Sequence, residues 1–277
     1  MFSEDFCSRF AGVARLYGEE AFEKIVRSRV CLVGLGGVGS WTCEALARSG
    51  ICNLTLVDMD DVCATNTNRQ LHALSGNYGH SKAKILSERV RAINPECGVS
   101  VHQMFVTRES AALFFEENKG RFDFVVDAID GAMNKAALIA ACVAVGLPII
   151  SSGGCAGKRD GTRVEYGDLS NVEGDSLLKF VRKELRSRYG FPKGNSGREM
   201  GVPVVFSREI SSPPEALGDA FPQMISPAGG KPRPGTVAFT TGAFGLALAQ
   251  LAVEQIIRSR SWKNKAGDSV KHEITRY

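Results

Sequence analysis

Short apolar runs alternate with segments of helical periodicity through the first half of the chain. Continuous apolar runs that end at glycine or at a polar residue, such as residues 29–33, predict buried parallel strands. Such strands are predicted at 29–33, 51–57, 99–105, 122–128 and 147–151. Apolar residues spaced for one helical face predict helices at 40–50, 82–93 and 135–145. This alternation predicts an α/β fold with a doubly wound, mostly parallel, Rossmann-like sheet.

The second half of the chain has a different pattern. It predicts a strand at 163–169, parallel or antiparallel, and a helix at 177–189 that buries Leu177, Val181 and Leu185. Residues 190–235 are rich in Gly, Pro and Ser, which predicts a long and partly mobile excursion near a site. We therefore predict a single domain over 1–277, with a nucleotide-binding half at 1–155 and a C-terminal half at 156–277.

Residues 237–257 form an apolar stretch with one formal charge, Glu254, and are long enough to cross a membrane. Small residues and two glutamines, Gln250 and Gln255, favour a C-terminal helix packed on the sheet over a membrane span. The first twenty residues carry early acidic residues and no apolar core of a signal peptide. A cytoplasmic location is expected, with membrane association as the minor alternative.

The composition adds two constraints. With 44% apolar and 23% charged residues and a net charge of +4, the chain is an ordinary globular protein, not a disordered or collagen-like one. Its eight cysteines include no C-x-x-C pair, so they predict reduced thiols in a cytosolic protein and no zinc site.

A glycine-rich motif follows the first predicted strand and opens a helix. Residues 34–39 read Gly-Leu-Gly-Gly-Val-Gly, and Asp58 ends the next strand nineteen residues after Gly39. Glycines allow a tight turn whose amides approach a phosphate, and a carboxylate at this distance accepts hydrogen bonds from ribose hydroxyls. The pattern predicts an adenine nucleotide site, with an NAD-dependent oxidoreductase as the alternative.

Polar and charged residues beyond Asp58 favour a triphosphate over NAD. Arg69 and Lys82 can neutralise phosphate oxygens, and Asp130, beyond the fourth strand near Asp127, can hold Mg²⁺. Each residue also has a plain structural interpretation. The two cations could be surface charges, and the remaining polar residues could form turns or caps: Asp60, Asp61, Asn66 and Asn68.

The combined motifs resemble the ThiF/MoeB superfamily, the adenylating domains related to ubiquitin-activating enzymes. The resemblance covers nearly the whole chain and rests on residues 15–18, 34–39, 58–70, Lys82 and 127–130. Residues 135–140, 152–157 and 201–207 resemble the branch of this superfamily that dehydrates threonylcarbamoyladenosine in tRNA.

The resemblance implies a role for each matching residue. Asp130 would hold magnesium, Asp58 would bind the ribose, and Arg15 would reach the ATP of a second subunit in a homodimer. The nucleotide phosphates would be surrounded by Gly34, Gly36, Gly37, Gly39, Asn66, Arg69, Gln70 and Lys82. Asp60 would also belong to the nucleotide site. The simpler interpretation of Arg15 is a surface charge beside an N-terminal helix.

The implied reaction is ATP-dependent adenylation of the threonyl carboxylate, followed by ring closure with loss of AMP. No enzyme nucleophile is required, and Cys155 is expected to be a packing thiol. Two alternatives stay open: an activator of a ubiquitin-like or sulfur-carrier protein, and a nucleotide-binding scaffold that partners a sulfur-transfer protein.

A tRNA partner predicts a basic surface. Residues 158–198 contain ten Lys and Arg against six acidic residues. The predicted helix at 177–189 places its cations on one face: Lys179, Arg182, Lys183 and Arg186. A solvated amphipathic helix is the alternative. Phe191 and Phe206 are nearby aromatic candidates for stacking on a base.

Overall fold

A seven-stranded sheet forms the centre of the computed structural model, which describes residues 2–193, 197–213 and 234–259. The strand order is β3-β2-β1-β4-β5-β7-β6. All neighbours pair in parallel except β6 and β7. The strands are β1 Arg29–Val33, β2 Asn53–Val57, β3 Gly98–His102, β4 Phe124–Asp127, β5 Ile149–Ser152, β6 Val164–Asp168 and β7 Pro203–Ser207.

Helices cover both faces of the sheet. One face packs against α3, α4 and α8, the other against α5, α6 and α7, and α1 and α2 form a small aromatic cluster beside the first face. The helices are α1 Glu4–Tyr17, α2 Glu19–Arg27, α3 Gly37–Arg48, α4 Lys82–Ile93, α5 Arg108–Glu117, α6 Ala132–Ala144, α7 Ser176–Arg188 and α8 Ala238–Arg258.

Strand β1 shows why the sheet is covered on both sides. Val30 and Leu32 point into the core under α3 and α8, whereas Cys31 and Val33 point into the core under α6. Side chains alternate between the faces of a strand, so a strand whose last four positions are all apolar needs a layer on each side. The predicted doubly wound α/β sheet is confirmed.

The strand order creates a crevice beside β1. The chain runs outward from β1 to β2 and β3 and then returns to β4, which lies on the other side of β1. Ligands bind at such a switch point, beyond the carboxyl ends of the strands. The register aligns these ends, because Val33 pairs with both Val57 and Asp127. The segments that follow β1, β2 and β4 therefore meet at one edge.

Helix α8 contains the apolar stretch that raised the membrane alternative. Among the described helices, it alone is long and apolar enough to cross a membrane, and 61% of its apolar window is buried inside the protein. It packs against α3, where Gly245 lies at the closest approach. This matches the prediction of a C-terminal helix packed on the sheet.

The predicted excursion at 190–235 needs correction. Residues 203–207 form the buried strand β7, inserted between β5 and β6, because two neighbouring strands supply its hydrogen bonds. Residues 194–196 and 214–233 of that segment lie outside the described part of the chain. The buried face of α7 also differs from the predicted one, since Leu178, and not Leu177, is fully buried with Val181 and Leu185.

Gly245 and Gly12 provide a matched test of the α3–α8 contact. A Cβ on Gly245 would lie 2.6 Å from the Val38 carbonyl oxygen, whereas a Cβ on Gly12 in α1 would meet nothing within 4 Å. We expect Gly245→Ala to lower the free energy of unfolding by about 1–3 kcal/mol. Gly12→Ala should raise it by about 0.5–1 kcal/mol through helix propensity. Urea denaturation measures the change in the free energy of unfolding for both variants. A Gly245→Ala substitution that stabilises the protein would contradict the described packing.

Candidate active site

A tight glycine turn joins β1 to α3. Gly34 has φ of +88°, a conformation that favours glycine, and a Cβ there would lie 2.8 Å from the Ala128 carbonyl carbon. A Cβ on Gly39 would lie 1.8 Å from the Gly34 carbonyl oxygen. Side chains at these two positions are therefore excluded by backbone contacts on both sides of the turn.

The same turn leaves the amino end of α3 available to an anion. Its N-cap residue is Gly36, which has no side chain to satisfy the first amides of the helix. In α1 and α7, by contrast, Ser3 and Asp175 fill that role. Free amides at the positive end of a helix bind phosphate oxygens. The turn fits a nucleotide phosphate, as predicted from the glycine motif.

Asp58 lies at the end of β2, facing the turn. Its carboxylate accepts the Leu35 amide over 2.6 Å and the Asp60 amide over 2.8 Å. Burial raises the pKa of Asp58 above its usual value, although both amides and Lys82 oppose the rise. Each carboxylate oxygen retains a lone pair. Asp58 thus couples the glycine turn to the segment after β2 and can still accept from a ribose hydroxyl.

Lys82 is the first residue of α4 and is not a solvated surface charge. Its side chain is only 6% exposed, and its Nζ lies 2.7 Å from Asp60 Oδ2, whose side chain is 62% exposed. The ammonium is therefore anchored beneath an accessible carboxylate at the sheet edge. A buried cation that is held in place is suited to binding a phosphate oxygen.

The segment between β2 and α4 holds the remaining predicted nucleotide residues. The Asn66 side chain accepts the Cys63 amide over 3.0 Å, which is the capping alternative raised from the sequence. The Arg69 guanidinium donates to the Thr65 carbonyl oxygen over 2.8 Å and is partly exposed. Gln70 is buried, and its Oε1 has no hydrogen-bond partner in the described structure. A Cβ on Gly36 would lie 3.8 Å from Gln70 Nε2, so Gln70 faces the glycine turn.

Two residues that the sequence did not suggest hold Arg69 in place. Trp41 of α3 donates its indole N–H to the Arg69 carbonyl oxygen over 3.2 Å, and Thr241 of α8 donates its hydroxyl to the same oxygen over 3.1 Å. A Cβ on Gly37 would lie 3.0 Å from Thr241 Cγ2. Helix α8, distant in sequence, is therefore part of the floor of the site, which only the fold reveals.

Asp130 and Asp127 follow β4 and occupy different environments. Asp130 is exposed at the sheet edge, three residues beyond the fully buried Asp127. Among the described residues, no three His, Cys, Asp or Glu side chains come close enough to hold a metal ion. Mg²⁺ with a nucleotide needs only one or two protein carboxylates, since phosphates and water complete its shell. Asp130, exposed at the edge, stays the predicted metal ligand.

Among the predicted nucleotide residues, Arg15 is the one that lies away from this edge. It is exposed in the last turn of α1, two residues before Tyr17. Burial and the nearby Glu254 raise the pKa of Tyr17, which places this end of α1 near the carboxyl end of α8. The nucleotide turn instead contacts Thr241 at the amino end of α8, so Arg15 and the turn lie toward opposite ends of that helix.

A basic groove runs along α7. Lys179 and Lys183 are exposed, whereas Arg182 and Arg186 are tied to the carbonyl oxygens of Leu169 and Pro192. The groove is lined by Lys179, Arg182, Lys183, Arg186, Ser187 and Lys193. The four predicted cations therefore share one surface.

The aromatic candidates of the sequence need correction. Phe206 is 4% exposed inside β7, and Phe191 packs against the second core. Phe180 of α7 is 59% exposed beside Lys179 and was missed, because a helical Phe is more often a core residue. Cys155 is buried, and burial raises its pKa to about 12, as expected of a packing thiol.

The fold, with its glycine turn at the crevice between β1 and β4, defines a Rossmann-like nucleotide-binding domain. Comparison with known proteins assigns it more narrowly. The chain belongs to the ThiF family, whose model matches residues 8–267.

Individual relatives carry a more specific name. The chain is 40% identical to the tRNA threonylcarbamoyladenosine dehydratase of Escherichia coli over 92% of its own length and 96% of that protein. It is 38% identical to the Haemophilus influenzae protein of the same name, over 93% and 97%. The crystal structure of the E. coli enzyme in complex with ATP superimposes with a TM-score of 0.82 at 39% identity, covering 95% of this chain and 100% of that one.

Lys82 and Lys84 allow a direct test of the phosphate site. Both belong to α4, but Lys84 is exposed whereas Lys82 is buried against Asp60. We expect Lys82→Met to weaken ATP binding about tenfold, because it removes a buried cation from the triphosphate. Lys84→Met should leave the affinity unchanged. Isothermal titration of ATP gives both constants, and equal affinities for the two variants would remove Lys82 from the site.

Proposed function

We propose that this chain catalyses the ATP-dependent dehydration of N6-threonylcarbamoyladenosine at position 37 of tRNA to its cyclic hydantoin form. The observation that carries the proposal is similarity along nearly the full length of both chains to enzymes of that name, one of them solved with ATP. The site described above supplies the turn, the cations and the carboxylate that such chemistry needs.

The proposed chemistry is activation of a carboxylate. The threonyl carboxylate attacks the α-phosphorus of ATP, which forms an acyl-adenylate and releases pyrophosphate. A nitrogen of the carbamoyl group then attacks the acyl carbon, the ring closes, its proton is lost, and AMP leaves with one of the original carboxylate oxygens. The acceptor is within the substrate, so no enzyme thiol is needed.

The residues of this chain have separable roles in that scheme. The amides at the start of α3 bind phosphate oxygens, and Asp58 binds the ribose. Lys82 and Arg69 stabilise the charge that develops on the leaving pyrophosphate. Asp130 would hold Mg²⁺, which neutralises phosphate charge when it is bound. Asp60 keeps Lys82 oriented, as their 2.7 Å contact supports.

A homodimer would complete the site. Arg15 is exposed and lies at the end of α1, toward the end of α8 that is far from the nucleotide turn, which supports its insertion beside the ATP of a second subunit. A zinc site is not expected, because no C-x-x-C pair is present. We place the protein in the cytoplasm and retain a sulfur-transfer protein as a possible partner.

The groove on α7 is the proposed tRNA surface. Its exposed lysines can bind backbone phosphates, and the exposed ring of Phe180 beside them can stack on an unpaired base. Arg182 and Arg186 are held by backbone carbonyl oxygens, so their charges are fixed before tRNA binds.

The function is tested by incubating the protein with Mg-ATP and tRNA that carries threonylcarbamoyladenosine. We expect AMP and pyrophosphate in equal amounts, and a modified nucleoside lighter by one water by mass spectrometry. Unmodified tRNA should yield no AMP. AMP formation that requires a protein ending in Gly-Gly, and ignores tRNA, would instead establish the alternative of a carrier-protein activator. ATP binding without turnover on any substrate would establish the scaffold.

The tRNA surface is tested by neutralising its two exposed lysines. Lys179→Gln/Lys183→Gln should weaken tRNA binding and reduce the slope of log affinity against log salt by about 1.4, that is, about 0.7 for each lost phosphate contact. A matched pair elsewhere, Lys84→Gln/Lys119→Gln, removes the same net charge from exposed positions and should leave the slope unchanged. An equal reduction of the slope in both double variants would show that tRNA binding depends only on net charge and not on the α7 groove.

A further inference from the structure

A charged network lies beneath the site without touching solvent. Asp127 at the end of β4, Lys135 in α6 and Ser151 in β5 are each 0% exposed. Lys135 Nζ lies 2.9 Å from Asp127 Oδ2 and 3.0 Å from Ser151 Oγ. The Ser151 hydroxyl in turn donates to Asp127 Oδ2 over 2.7 Å. All three polar groups are thus satisfied by one another.

The second oxygen of Asp127 leaves this network and holds the backbone that follows β4. Asp127 Oδ1 accepts the Ile129 amide over 3.0 Å. The residues that this bond fixes are the ones that crowd Gly34, since a Cβ there would lie 2.9 Å from the Ile129 nitrogen. The next residue in the chain is Asp130, whose carboxylate is exposed at the edge.

Stability alone does not explain a buried ion pair in this place. Desolvation of two charges costs about as much as their attraction returns, and apolar residues of similar volume often serve a core equally well. The ion pair instead orients the Asp127 carboxylate. Lys135 and Ser151 occupy one carboxylate oxygen of Asp127, which leaves the other oxygen aimed at the Ile129 amide.

We propose that Asp127 is a positioning residue, oriented by Lys135 and Ser151, that fixes the Ala128–Asp130 segment through its bond to the Ile129 amide, so that the Asp130 carboxylate faces Mg²⁺ beside the glycine turn. This inference rests on the proposed role of Asp130 as the metal ligand. Asp127 touches neither nucleotide nor metal, because it has no exposed surface.

Two neutral double variants separate positioning from stability. Asp127→Asn/Lys135→Met removes both charges but keeps an amide oxygen for the Ile129 N–H. Asp127→Leu/Lys135→Met removes both charges and that acceptor. Neither variant leaves a lone buried charge, and thermal denaturation identifies the folded proteins. The readout is the ATP dissociation constant with Mg²⁺ and with EDTA, measured without tRNA, and Asp130→Ala sets the value expected when the metal ligand is lost.

We expect Mg²⁺ to strengthen ATP binding by wild type and by the Asn/Met variant to the same extent within about twofold. In the Leu/Met variant, as in Asp130→Ala, the strengthening of ATP binding by Mg²⁺ should be at least about tenfold smaller than in wild type. The affinity of the Leu/Met variant for ATP in EDTA should equal that of wild type. The proposal is overturned if Leu/Met keeps the full Mg²⁺ effect, if wild type shows none, or if Leu/Met binds ATP weakly in EDTA as well. Because tRNA is absent, failure of the dehydratase proposal leaves this test intact.

Ser151→Ala serves if either double variant does not fold. It removes the two hydrogen bonds of the Ser151 hydroxyl and leaves the ion pair, so the core stays neutral. We expect the Mg²⁺ effect to fall about threefold with no change in EDTA. An unchanged Mg²⁺ effect in a folded Ser151→Ala protein would overturn the proposal.

Discussion

The site depends on a steric constraint: the turn after β1 lies so close to the segment after β4 that Gly34 cannot carry a side chain, and it is so tight that Gly39 cannot carry one against the Gly34 carbonyl. This contact brings the amino end of α3 to the crevice between β1 and β4. It also places the backbone on which Asp130 is carried directly against the phosphate turn. Asp58 closes the third side by accepting the Leu35 amide. The residues proposed to bind phosphate, ribose and metal therefore meet at one sheet edge because three backbone segments touch there.

Contacts with neighbouring residues hold the charged groups around this crevice in place. Lys82 is buried against Asp60, Arg69 is fixed through its carbonyl oxygen by Trp41 and Thr241, and Asp127 is satisfied by Lys135. Groups that are oriented before substrate binds need little reorganisation when charge moves from the α-phosphorus to pyrophosphate. Preorganisation, more than any single side chain, is what the ThiF-type fold contributes to the proposed adenylation.

Much of this arrangement is visible in the sequence. The bounds of β1 and α4 are predicted to the residue, because a buried strand ends on glycine and Asn94-Pro95 stops a helix. The sequence leaves the direction of β6 open and predicts neither α5 nor β7. Strand β7 begins at a proline inside a Gly/Pro-rich segment, and its burial comes from β5 and β6, which no local pattern encodes. For the same reason, the contact of Thr241 in the distant α8, the exposed ring of Phe180 and the distance of Arg15 from the nucleotide turn emerge only from the fold.

An isotope label distinguishes activation of the carboxylate by adenylation, as proposed here, from activation by phosphorylation. tRNA whose threonylcarbamoyladenosine carries ¹⁸O in the threonyl carboxylate is turned over with unlabelled Mg-ATP, and the products are analysed by mass spectrometry. Adenylation places one ¹⁸O atom in AMP and none in pyrophosphate. Label in inorganic phosphate or in water, with AMP unlabelled, would contradict it.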